Sequence, residues 1–240
     1  MSANNIEILK KYFSIPYGGH VFIFTNPVTL LDIQQNTFTE ILSHKNAVDA
    51  QGLPGHSMAL LIIEAVKKHM NGLDGKQILD VGGNTGYISF LAVEAGANAT
   101  MIERDTVQAT VAKAMADVRG LKVNIINDSI QNYLNSNQDK FDCAFMLNMF
   151  DQMLREDETT AWQVLKQISE RAKTLFLMMG RSEQIPKTNG HATGTPLIAA
   201  PVLSRHDKTD YEVILEKTMY NNYKILSTNI YGSRQLQAYY

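Results

Sequence analysis

The chain has 240 residues, of which 45% are apolar and 19% charged, and a formal net charge of −2. That length buries a substantial core, as one large domain or as a domain with an elaboration, and the proportions fit an ordinary soluble globular protein. Without an excess of Lys and Arg the composition argues against a nucleic-acid partner, because binding driven by counterion release needs a basic face.

The opening stretch MSANNIEILKKYF lacks the apolar core of a signal peptide, and Ile6, Leu9 and Phe13 share one helical face. No run approaches the roughly 18 apolar residues that span a bilayer, so a cytoplasmic location without membrane contact is expected. Residues 14–56 are irregular, with Pro16, Gly18, Gly19 and Pro27, a helix candidate at 37–44, and then Gly52-Leu53-Pro54-Gly55. Residues 57–70 read as an amphipathic helix with apolar positions at 58, 61, 62, 65 and 66, and Lys67-Lys68-His69 suits its C-terminus. Asn71-Gly72 and Asp74-Gly75 break the chain there.

Strands and helices then alternate. Strands are expected at 77–81, 98–102, 122–126, 141–147, 173–179, 219–229 and 234–240, and helices at 86–95, 106–118, 129–137 and 156–171. Short apolar strands separated by helices imply a mostly parallel sheet covered on both faces. The last two strands have only a Gly-Ser turn between them and read as an antiparallel hairpin. Cys143, the only cysteine, precludes an intrachain disulfide and lies in the apolar run FDCAFML as a small hydrophobe. Residues 180–210, rich in Gly, Thr, His and Pro, form the one long loop.

The chemistry concentrates in KQILDVGGNTGYISFLAVEAGANATMIE, residues 76–103. Strand, Gly-rich turn, helix, strand and acid follow in the order by which a parallel βαβ unit builds a nucleoside pocket at its strand ends. The dinucleotide pattern G-x-G-x-x-G fails, because Asn84 and Tyr87 stand where glycines are required, and the P-loop ending is absent. Asp80 precedes the turn and would repel a pyrophosphate, whereas a carboxylate suits a ligand carrying an ammonium and a sulfonium. In LDVGGNTG and the second-strand acid Glu103, the chain resembles the class I S-adenosylmethionine-dependent methyltransferases.

The resemblance implies a Rossmann-like α/β fold, with a seven-strand, mostly parallel sheet ending in a C-terminal antiparallel hairpin. It also implies S-adenosylmethionine as cofactor, S-adenosylhomocysteine as product, and 73–240 as the cofactor-binding domain. Residues 1–72, an N-terminal helical and irregular extension, are expected to cover the active-site mouth, because their apolar runs VFIF and LLIIEAV otherwise lack a partner. Asn84 departs from the family, which often has a second glycine there; the adjacent Gly83 can supply the flexibility. Gly82, Gly83, Asn84 and Gly86 are the cofactor turn. Glu103 falls where the family's acid grips both ribose hydroxyls, a bidentate match for a carboxylate, the alternative being a solvated acid beside Arg104. Asp80 is either a ligand contact, or a cap or partner of Lys76. Asp128 and Ser129 follow the third strand, where the family has an adenine contact and where either residue suits a helix N-cap. Asn148 closes the fourth strand, at the cofactor's methionine end in family members, or is a turn residue.

Methyl transfer from a sulfonium is an in-line displacement, and a hydroxyl acceptor needs help in losing its proton. Asp151 is a candidate base or an N-cap, and Phe150 either walls the site or belongs to the core. His191, in the loop after the fifth strand, is a second candidate base or an exposed histidine without a role. His20, His56 and His191 lack metal-ligand spacing, so no metal is expected, and His56 can cap the following helix. The leading reading is methylation of the oxygen or nitrogen of a small-molecule acceptor such as a sugar or metabolite. The alternatives are a protein or RNA methyltransferase and a non-methylating protein that binds the cofactor. Oligomeric state is not legible in the sequence.

Overall fold

The computed structural model describes Asn5 and residues 55–179, 210–230 and 234–240. The expectations for His20, His191, the helices at 1–13 and 37–44, the loop 180–210 and the hairpin turn lie outside the described residues. Two compact units divide the chain, Met1–Ser129 and Ile130–Tyr240. The strands follow the order β3-β2-β1-β4-β5-β7-β6 in one seven-stranded sheet, parallel from β1 to β5 in the pairs described and antiparallel at the C-terminal end.

The first unit runs α1 (Gly55–Met70), β1 (Gln77–Val81), α2 (Tyr87–Glu94), β2 (Asn98–Ile102), α3 (Thr106–Arg119) and β3 (Asn124–Ile126). β1 pairs in parallel with β2 from Gln77↔Asn98 to Val81↔Ile102, and β2 with β3 from Thr100↔Asn124 to Ile102↔Ile126. In β1 the four residues after Gln77 are all buried, the near-continuous burial of a strand covered on both faces. α2 is apolar almost all round, and Tyr87 to Ala92 are all buried, as such a helix must be. α3 shows the ordinary amphipathic pattern and buries Ala109, Val111, Ala112, Met115 and Ala116. It begins at Asp105, whose side chain accepts from the amides of Val107 and Gln108, and ends on Gly120 in the left-handed region at φ 66°. In its last turn Asp117 accepts a hydrogen bond from the Asn5 amide at 3.0 Å.

The second unit runs α4 (Ile130–Ser136), β4 (Phe141–Leu147), α5 (Phe150–Glu156), α6 (Glu158–Ser169), β5 (Ala172–Met179), α7 (Asp210–Lys217), β6 (Tyr223–Ile230) and β7 (Arg234–Tyr239). β4 and β5 pair in parallel from Phe141↔Ala172 to Leu147↔Met178. β7 lies antiparallel between β5 and β6, and the β6–β7 ladder shifts register twice between Ile225 and Ile230. Cys143 is fully buried, as are the next residues of the strand, Ala144, Phe145 and Met146. The helix expected at 156–171 is α6, which starts later because Asp157 is extended and caps it by accepting from the Thr160 amide, while α5 before it was not expected. α7 was not expected; its apolar face buries Val213 and Ile214, and just beyond it the Tyr220 hydroxyl donates to the Ala172 carbonyl at 3.0 Å. β3 and β6 are each shorter at their N-terminal ends than the sequence suggests. Among the described residues no helix is long and apolar enough to cross a membrane.

The Asp105 cap joins the helix start to the end of β2. Asp105→Ala should lower unfolding free energy by about 1 kcal/mol in urea denaturation, and Asp105→Asn should recover most of it.

Candidate functional site

In the first unit the chain leaves β1 through Gly82, at φ 68°, whose amide donates to the Ile102 carbonyl at 2.9 Å. Gly86, at φ 87°, closes the turn by donating to the Gly83 carbonyl at 2.9 Å, and it also occupies the N-cap of α2. A side chain at Gly83 would place Cβ 2.5 Å from Met101 Cγ and 3.0 Å from an Asp80 carboxylate oxygen. The backbone here therefore lies against both β2 and the acid of β1. Asn84 is left-handed at φ 55°, a conformation that glycine takes freely and that asparagine tolerates better than most residues. Its side chain accepts from the Thr85 amide at 2.7 Å, which holds the turn in shape where the resembling family often has glycine.

Asp80 is buried, 3% exposed, and its partner is Ser89 of α2 rather than Lys76; the Ser89 hydroxyl donates to Oδ2 at 2.6 Å. Burial raises the Asp80 carboxyl from 3.8 to about 6, the Ser89 hydrogen bond opposing the rise and the nearby Glu103 charge adding to it. Glu103 is also buried, 7% exposed, which removes the reading of a solvated acid beside Arg104. Its two oxygens accept from the Asn84 amide at 2.9 Å and the Asp105 amide at 2.8 Å. Burial raises its carboxyl as well, against the lowering effect of those two amides. An ionised carboxylate offers about four lone-pair directions, so these two bonds leave acceptor capacity on both oxygens.

Asp128 and Ser129 follow β3; both are half-buried, and the Ser129 amide donates to Asp128 Oδ1 at 2.7 Å. Sequence reasoning missed two residues beside them. Asn127 donates through Nδ2 to the Glu103 carbonyl at 2.8 Å and the Arg104 carbonyl at 3.2 Å, clamping the exits of β2 and β3 together. Ser89 orients Asp80, and its signal was available: a hydroxyl within the otherwise apolar YISFLAV needs a buried partner.

In the second unit Asn148 is left-handed at φ 61°. Its amide donates to the Met178 carbonyl at 2.8 Å, and its carbonyl accepts from Gln152 at 2.8 Å. The turn role is thus present in the geometry. Asp151 is not the N-cap; Met149 takes that place and Asp151 lies in the first turn of α5, 2% exposed, with Arg155 Nη2 4.0 Å from its carboxylate. Phe150 is fully buried edge-on to Trp162, ring centroids 5.0 Å apart, which is a core position. His56 falls within the first turn of α1 and so does not precede that helix.

The described geometry is that of an α/β protein whose first parallel strand ends in a glycine turn held by two buried acids. Residues 78–172 match the methyltransferase domain family. A ubiquinone biosynthesis O-methyltransferase of Actinobacillus pleuropneumoniae serotype 7 is 33% identical over 102 residues, covering 41% of this chain and 44% of that protein. The protein of the same name from Haemophilus ducreyi is 29% identical over 128 residues, covering 52% and 53%. The chain thus spans about half the length of the curated relatives it matches. Among solved structures, magnesium protoporphyrin IX methyltransferase from Synechocystis PCC 6803 with bound SAM shares the fold at a TM-score of 0.54 and 16% identity, covering 99% of this chain and 98% of that one. Residues 78–172 thus carry the pattern of the methyltransferase domain family, on a chain with the fold of a solved S-adenosylmethionine-bound methyltransferase.

The raised Asp80 carboxyl has a definite consequence for stability. The folded state holds the proton more tightly than the unfolded chain, so the group's contribution is full below 3.8 and is lost as pH rises through about 6. Unfolding free energy measured between those limits should fall with pH more steeply for the wild type than for Asp80→Asn, by up to roughly 3 kcal/mol. Parallel pH profiles of the two proteins would show that Asp80 is not buried as described.

Proposed function

We propose that the chain binds S-adenosylmethionine at the glycine turn and transfers its methyl group to an oxygen or nitrogen of a small-molecule acceptor. The observation that carries the reading is the placement of Asp80 and Glu103, two buried carboxylates on either side of a turn too close-packed for side chains at Gly83 and Gly86. Such a site suits a cationic nucleoside and opposes a pyrophosphate. The cofactor supplies an electrophilic methyl on a sulfonium.

The residues fit that group. Glu103 keeps acceptor capacity for a vicinal diol while its bonds to Asn84 and Asp105 fix its direction. Asp80, oriented by Ser89, offers negative charge to an ammonium. Gly82, Gly83, Asn84 and Gly86 present backbone; Asp128 and Ser129 are proposed to meet the base, and Asn148 the amino-acid end. The displacement breaks the carbon–sulfur bond as the acceptor's bond to carbon forms, and the acceptor's proton leaves to a base or to water. Asp151 and His191 remain the proposed bases, although the burial of Asp151 beside Arg155 means that substrate must reach it directly. The relatives' name supports an oxygen acceptor, and the net charge of −2 supports a small molecule over nucleic acid. A cytoplasmic location and the division into a cover, 1–72, and a cofactor domain, 73–240, belong to the same proposal and rest on the sequence reading.

Calorimetric titration tests the cofactor. S-adenosylhomocysteine should bind and NAD should not; the reverse result sinks the reading. Affinity should rise as pH climbs through about 6, where Asp80 ionises, and Asp80→Asn should flatten that dependence. Glu103→Gln, which keeps the side chain's shape, should weaken binding by on the order of 1–3 kcal/mol through loss of charge-assisted hydrogen bonds. For the base, Asp151→Asn should lower turnover of a hydroxyl acceptor while cofactor affinity stays at the wild-type value. Unchanged turnover removes Asp151 from the chemistry.

A further inference from the structure

At the glycine turn the ring of Phe90 presses against Gly86. A Cβ on Gly86 would lie 2.6 Å from Phe90 Cζ and 2.8 Å from Cε1, so the ring tip fills the space where a side chain would stand. Phe90 is fully buried, and its amide donates to the Gly86 carbonyl at 2.8 Å, the first bond of α2. On the ring lies a cation. The Arg119 guanidinium is 5.3 Å from the Phe90 centroid, within cation–π range, and Nη2 is paired with Glu94 at the end of α2. Gly120, left-handed at φ 66°, ends α3 directly after Arg119 and fixes where that side chain starts.

This arginine is costly. Its side chain is 11% exposed, burial pulls its pKa down, and Nη1 finds no acceptor among the described residues. A buried guanidinium with an unsatisfied nitrogen is a poor stabiliser, and apolar residues of similar volume often replace such groups at no loss. Fold stability alone therefore does not account for it. What the guanidinium does provide is a flat, fixed surface. Paired with Glu94 and lying over the Phe90 ring, it bears on the same ring that faces Gly86.

We infer that Arg119 is a positioning residue for the glycine turn, holding Phe90 against Gly86 and so setting the backbone of residues 82–87. The inference rests on the proposed cofactor role of that turn. Its basis is the chain of contacts from Glu94 through Arg119 and Phe90 to Gly86, all within the first unit.

Hydrogen exchange of the ligand-free protein and titration with S-adenosylhomocysteine test it together. Arg119→Met keeps the side-chain volume and removes the charge and the plane. Its melting temperature should equal or exceed the wild type's, while the amides of residues 82–87 exchange faster and affinity falls by roughly 3- to 10-fold. Arg119→Lys, which keeps the Glu94 pair but not the flat stack, should fall between. Should Arg119→Met not fold, Glu94→Gln should move both readouts in the same direction by less. Unchanged exchange at the turn overturns the inference, as does faster exchange with unchanged affinity, or an affinity loss matched by a general loss of stability. If the wild type itself fails to bind, the cofactor reading is what falls, and the exchange data still decide whether Arg119 sets the turn.

Discussion

The first unit is organised around two carboxylates kept out of water. Asp80 and Glu103 sit at the ends of adjacent parallel strands, Asp80 pairing with Met101 and Val81 with Ile102, and the Glu103 charge raises the proton affinity of Asp80. A buried carboxylate persists only where donors are aimed at it, and the donors here come from separate elements. Ser89 reaches back from α2, while Asn84 in the turn and Asp105 before α3 give their amides to Glu103. Meeting the needs of the acids thus fixes the turn, the helix start and the strand exits in one arrangement.

That dependence explains why the glycine pattern was readable while its departures were harmless. Gly82 and Gly86 have positive φ, and Gly83 is pressed against β2, so each glycine answers to a separate local requirement. Asn84 satisfies the same backbone requirement as a glycine and adds a side-chain acceptor for Thr85. The strands β1, β2 and β4 were legible with their boundaries because buried parallel strands are short apolar runs between breakers. The turn's neighbours were less so. Ser89, Asn127, Phe90 and Arg119 act through contacts between elements, and their spacing in sequence carries no trace of those contacts. Only Ser89 left a sign, as a hydroxyl with nowhere polar to go.

In the second unit the errors are of a different kind. α7 is eight residues, about two turns, and so short a helix gives too little periodicity to separate it from a loop. α5, at seven residues, went unread for the same reason, and the extended Asp157 separates it from α6. An extended residue that caps the next helix interrupts the backbone without interrupting the hydrophobic pattern. Asp151 was legible as a position after β4 but not in its environment. Its place inside the first turn of α5 gives it the favourable end of the helix dipole, and its burial beside Arg155 makes it as much a structural group as a chemical one.

The buried acids also bear on how the site divides its labour. In the ligand-free protein their burial works against stability as pH rises, and for Asp80 the Glu103 charge adds to it. A cation placed beside Asp80 reverses that balance, because an opposite charge favours the ionised form that burial disfavours. The energy that the fold gives up to keep these groups dry is then returned as selectivity for a positively charged ligand over an anionic one. A polar, well-hydrated acid would discriminate far less, because water screens its charge. The demand on the fold is that the acids not relax toward water, and the close contacts of Gly83 with Met101 and of Gly86 with Phe90 leave the turn no room to let them.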